Sequence, residues 1–76
     1  MRAADLALIA RTRDDLASGR ARIARQAARV SLAEVAAVVG VTRQAVGYWE
    51  TGHAQPSQEN ALAYGRLLAR LVQKAA

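Results

Sequence analysis

The sequence predicts an all-α fold, a compact bundle of about five helices, and three observations predict it. One proline and five glycines interrupt the 76 residues, and no alternating β-branched run leaves room for strands. Apolar residues recur at three- and four-residue spacing along most of the chain. Serine, threonine and glycine fall where helices would start and stop.

The first helix is expected over residues 3–17, with Leu6, Ile9 and Leu16 as its buried side. Arg11 lies one turn from Asp14 and Asp15, and each such pair is worth only ~0.2–0.5 kcal/mol. Ser18–Gly19 marks a break, with Ser18 capping a second helix over 20–29. One helix running through Gly19 would cost about 1 kcal/mol relative to alanine, which favours the break. A third helix is expected over 32–39, capped by Ser31, with Val35, Ala36 and Val39 on one apolar face. Gly40 then supplies the left-handed residue that ends it. Thr42 caps a fourth helix over 43–51, where Val46 and Trp49 form an i, i+3 core pair and Arg43, Gln44, Gly47 and Tyr48 face elsewhere. Pro56 leads into a last helix over 57–73. Ser57 is its N-cap and Glu59 lies in its first turn, both suited to the positive helix end. Leu67, Leu68, Leu71 and Val72 make an apolar stripe that serves partly as core and partly as a candidate dimer seam.

Bulk properties narrow the function. A chain of 76 residues is read as a single domain, 1–76, that buries roughly 60% of its unfolded surface. It has no cysteine, hence no disulfide staple and no thiolate metal site. The net charge is +5 and the pI about 11.1. Arginine supplies ten of the eleven basic side chains, and it is the residue suited to bidentate contact with phosphate and guanine. Such basicity fits nucleic acid, an anionic membrane or an acidic protein partner. No apolar run approaches ~18 residues, so no membrane span is expected. The N-terminal MRAADLALIARTRDD lacks the apolar core and cleavage site of a signal peptide, and a cytoplasmic location is expected. Asp14 and Asp15 point to different sides of a helix, His53 has no companion ligand, and no Gly-rich phosphate loop is present. The chain is therefore read as no enzyme, with no metal, cofactor or small-molecule ligand.

Residues 31–52 carry the functional signal. Two short helices joined by a glycine-containing turn, the second with a polar outer face, make a helix-turn-helix, and such a second helix fits the major groove of double-stranded DNA. Arg43 suits guanine O6 and N7, and Gln44 suits adenine N6 and N7. Gly47 permits close approach, and Tyr48 suits a sugar, a thymine methyl or a phosphate. The plainer reading makes these solvated residues on an exposed helix. Ser31 and Thr42 are caps first, yet each opens a helix N-terminus whose free N–H groups suit a phosphate. Arg20, Arg22 and Arg29 are either a solvated face or part of a phosphate footprint.

The stretch SLAEVA at 31–36, with Val39-Gly40-Val41-Thr42-Arg43, Val46, Trp49-Glu50-x-Gly52 and Pro56-Ser57 in ungapped order, resembles the lambda-repressor-like, Cro/XRE-type family. The resemblance implies a lambda-repressor-like bundle whose second motif helix reads bases and which binds as a homodimer. It implies backbone contacts from the loop carrying His53, Gln55 and Ser57. It also implies that Glu50 pairs with an arginine on the preceding helix, here Arg25. Three positions depart from the family habit: Leu32 where glutamine is frequent, Arg29 where glycine is frequent, and Ala69 where a glycine often breaks the last helices. The expectation is a sequence-specific transcriptional regulator, a phage Cro-like repressor on a pseudopalindromic operator. The rival is a protein-interaction module, such as an antitoxin, that uses the helix-turn-helix as a scaffold.

Overall fold

A computed structural model describes residues 1–75, with side chains placed to residue 73. These residues form α1 (Ala3–Ser18), α2 (Arg20–Ala27), α3 (Leu32–Val39), α4 (Arg43–Thr51) and α5 (Gln58–Ala75). No helix among them is long and apolar enough to cross a membrane.

The α3–α4 unit is specified locally. The Ser31 hydroxyl accepts the Glu34 amide at 3.0 Å, and the Glu34 carboxylate accepts the Ser31 amide at 2.9 Å, a reciprocal capping box. Gly40 ends α3 at φ 86°, a left-handed conformation that glycine adopts without steric cost. The Thr42 hydroxyl accepts the Ala45 amide at 3.1 Å and caps α4. Ser57 likewise accepts the Asn60 amide at 3.1 Å, so it stands just outside α5 rather than inside it.

The earlier junctions differ from expectation. Ser18 is the last residue of α1, and its hydroxyl donates back to the Asp15 carbonyl at 3.2 Å. It does not cap α2, whose N-cap is Gly19; the contact from the Arg20 amide is long, 3.4 Å. Helix α2 stops at Ala27 instead of 29 because Arg29 takes φ 59°. The Arg29 and Val30 amides then bond back to the Gln26 and Arg25 carbonyls at 3.0 and 3.1 Å. This two-bond closure ordinarily uses glycine at the left-handed position, and an L-residue there costs about 1–2 kcal/mol.

Burial corrects the phase of two helices. On α1 the inward residues are Ile9, Thr12 and Leu16, flanked by half-buried Asp5 and Leu8; Leu6 lies on the other flank and is exposed. On α5 the buried row is Ala61, Tyr64, Gly65 and Leu68, at i, i+3, i+4 and i+7. Of the expected seam, Leu68 belongs to the chain's own core and Leu67 packs against that core. Leu71 is half-buried, and only Val72 is exposed. The core joins Leu16, Ala21, Val35, Ala36, Val46, Trp49, Tyr64 and Leu68, with Val39 packed at its margin.

Helices α1 and α5 cross closely at Gly65. A Cβ on Gly65 would collide with Thr12 Oγ1 and would sit 3.1 Å from Leu8 Cγ. Thr12 is locked in place, since its hydroxyl donates to the Leu8 carbonyl at 2.7 Å.

One polar network runs through the interior. Arg25 Nε and Nη2 donate to the two carboxylate oxygens of Glu50 at 2.7 and 2.9 Å. Its remaining Nη1 donates to the Val30 carbonyl at 2.9 Å, and the Tyr64 hydroxyl donates to Glu50 at 2.8 Å. The side chains of Arg25 and Glu50 are only 9% and 4% exposed. Glu50 raises the Arg25 pKa, and burial followed by the bond to Glu50 pushes the Tyr64 hydroxyl well above its ordinary value. Trp49 packs beside Tyr64 with ring centroids 6.4 Å apart.

Two stability measurements test this account. Gly65→Ala should destabilise the fold by about 1–3 kcal/mol in urea unfolding, although alanine favours helix; a gain in stability would contradict the close crossing. Glu50→Ala should cost about 3–5 kcal/mol, because it strands the Arg25 guanidinium. An unchanged thermal midpoint in that variant would show that the network orders nothing.

Candidate nucleic-acid interface

Helix α4 is divided lengthwise by its own sequence. Val46 and Trp49 are buried, and Glu50 is held inward by Arg25. Arg43, Gln44, Tyr48 and Thr51 are exposed with Gly47 between them, which at 3.6 residues per turn is one outward face. The four expected base-reading residues therefore lie together. Among the described residues Arg43 has no carboxylate partner within salt-bridge distance.

The outward face is ordered by its own contacts. Gln44 Nε2 donates to the Tyr48 hydroxyl at 2.8 Å, which orients the amide and leaves its Oε1 directed elsewhere. The Tyr48 ring lies 5.7 Å from the His53 ring, centroid to centroid. Thr51 Oγ1 donates to the Gly47 carbonyl at 2.9 Å and meets His53 Nδ1 at 2.7 Å. With the Thr51 hydrogen spent on Gly47, Nδ1–H is the donor to Thr51, and Nε2 is the nitrogen left for an outside partner.

A surface depression runs along this face. Thr42, Arg43 and Gln44 line it together with Gly47 and Tyr48; Leu32 of α3 and Thr51 and His53 beyond complete it. The sequence did not single out Thr51, and it marked Leu32 only as a departure from the resemblance, with no contact assigned to it. Leu32 occupies the capping-box helix at its first position, so its proximity to Gly47 follows from how α3 crosses α4 and not from any local spacing. Tyr64, which completes the Glu50 network, also went unseen; its signal was the i, i+3, i+4, i+7 row on α5.

The expected phosphate-facing residues divide by position. Thr42 opens α4, whose first turn contains no acidic residue, so the positive end of that helix is unopposed. Ser31 opens α3, where the Glu34 carboxylate already holds the Ser31 amide. Arg29 is exposed at the α2–α3 junction, and His53, Gln55 and Ser57 are exposed along the α4–α5 connection. Arg20 leaves the candidate footprint, because Asp14 and Asp15 both reach its guanidinium, Asp15 at 2.9 Å. Those two carboxylates converge on one cation, where the sequence placed them on different sides of the helix. Arg25 and Glu50 form the structural pair described above.

A helix-turn-helix family model matches residues 22–70, which runs from within α2 through most of α5 and leaves α1 outside. No curated protein and no solved structure gives a significant match.

The capping box makes the acid limb of stability testable. The Ser31 amide, and behind it the Ser31 hydroxyl, hold the Glu34 carboxyl below its ordinary value of 4.5. A lowered folded pKa contributes stability that is whole above 4.5 and is lost as pH falls through the folded value. Glu34→Gln keeps a hydrogen-bonding group but cannot titrate. Its thermal midpoint should fall less steeply than the wild type's in acid; identical slopes would remove Glu34 from the acid response.

Proposed function

The chain belongs to the helix-turn-helix family of Cro/XRE type, DNA-binding transcriptional regulators, and we propose that it is a cytoplasmic, Cro-like repressor that reads a pseudopalindromic operator as a homodimer. The observation that supports the reading is the outward face of α4. It gathers Arg43, Gln44, Gly47 and Tyr48 on a helix whose opposite face, Val46 and Trp49, is fixed in the core. Arg43 and Gln44 are the base-reading pair. Thr42, with the free N–H groups of α4, binds a phosphate. Arg29, His53, Gln55 and Ser57 extend the backbone contacts on either side, and Ser31 adds a weaker one beside Glu34. Repression is steric: an operator occupied across a promoter excludes polymerase. The dimer seam draws on Leu71 and Val72, since Leu67 and Leu68 serve the chain's own core.

A selection of tight binders from a random duplex library, near 0.2 M salt where the non-specific phosphate attraction is weakened, tests the reading. The expected product is a two-fold symmetric site with half-sites ~34–36 Å apart. An enriched site without dyad symmetry would refute the dimer, and no enrichment by the folded protein would refute sequence reading. On the enriched site Arg43→Ala should cost ~1–3 kcal/mol and relax one base position. A uniform loss across sequences would make Arg43 a phosphate contact instead.

A further inference from the structure

The fold accounts for every glycine but one. Three end helices at positive φ, and Gly65 admits Thr12 at the α1–α5 crossing. Gly47 has neither reason. It lies inside α4 with ordinary helical backbone, and a Cβ there would meet only Leu32 Cδ1, at an ordinary contact distance of 3.8 Å. Alanine would fit and would favour the helix. The residue that weakens α4 is therefore on its outward face, in the middle of the depression, where only the surface shape depends on it.

That shape has a definite chemistry. Leu32 and the Tyr48 ring offer apolar surface beside the bare backbone of Gly47, and Gln44, its amide tied to Tyr48 at 2.8 Å, stands alongside. Base edges in the major groove present hydrogen-bonding groups and one apolar group, the C5-methyl of thymine; methylated cytosine carries the same group at the same carbon. We propose that the depression over Gly47, between Leu32 and Tyr48, is a seat for the C5-methyl group of a pyrimidine, thymine in the unmodified operator. Gly47 holds the seat open at the expense of helix stability, and a methyl group on residue 47 would occupy the space. Leu32, whose Cδ1 lies nearest the position a Cβ on residue 47 would take, makes the seat apolar. The inference rests on the DNA-reading role of α4 and names the atom that this role places there.

The test uses the full chain and the duplex enriched by selection. Each thymine is replaced singly by deoxyuridine, and each cytosine singly by 5-methylcytosine. At one pyrimidine per half-site, removing the methyl should weaken wild-type binding about fourfold, the worth of one buried methyl group. A gain at a cytosine instead, with every thymine silent, would assign the seat to methylated DNA. Gly47→Ala should melt at or above the wild-type temperature, bind the unmodified site more weakly, and bind methylated and unmethylated versions equally. Three results overturn the proposal: no pyrimidine responds to its methyl, Gly47→Ala keeps the wild-type ratio, or Gly47→Ala melts lower and so shows that the fold needs the glycine. Failure of the wild type to enrich any site overturns the DNA-reading role itself, which distinguishes the two failures.

Discussion

The molecule turns on a charged pair placed inside a domain too small to bury charge casually. Arg25 and Glu50 join α2 to α4 by two hydrogen bonds, the Val30 carbonyl takes a third donor, and Tyr64 brings in α5. Removing two ions from water is costly, and their attraction repays it only when geometry is good and the remaining polar atoms are satisfied. Here no buried side-chain nitrogen or oxygen among the described residues lacks a partner. What such a pair contributes is orientation. A carboxylate gripped on both oxygens fixes the rotation of α4 about its axis, and the α2–α3 turn is tied to the same guanidinium through Val30.

Once that rotation is set, the rest of the surface follows. Val46 and Trp49 must point inward, so Arg43, Gln44, Gly47 and Tyr48 must point outward. The acidic side chains are mostly engaged away from this face. Asp14 and Asp15 hold Arg20, Asp5 meets Arg66, Glu50 holds Arg25, and Glu34 closes the cap of α3. Among the described residues Arg43 has no carboxylate partner, and it stands at the start of a helix with no acid in its first turn. A net charge of +5 becomes directional in this way, because the carboxylates are spent on structure.

Much of the motif was legible because its signals are local. Ser31, Gly40 and Thr42 act on amides within a few residues of themselves, so a sequence reading finds them. The resemblance supplied the Arg25–Glu50 pair, which no local spacing could. The misreadings share one cause, packing between distant segments. Arg29 takes a conformation suited to glycine because the chain must turn there into α3. Leu6 and Val72 are large and apolar yet exposed, while Gly65 and Thr12 are small or polar and buried, because the α1–α5 crossing leaves no room for bulk. Leu32 became visible as part of the depression along α4 only once α3 was laid beside α4.

The central claim is that the face of α4 opposite Trp49 is the surface that meets DNA. Amide chemical-shift mapping of the labelled protein during titration with duplex tests it most directly. The account predicts shifts concentrated over residues 42–53 and at the start of α3, with the outer side of α1 silent. Shifts confined to α1 and the end of α5, with α4 unmoved, would contradict it.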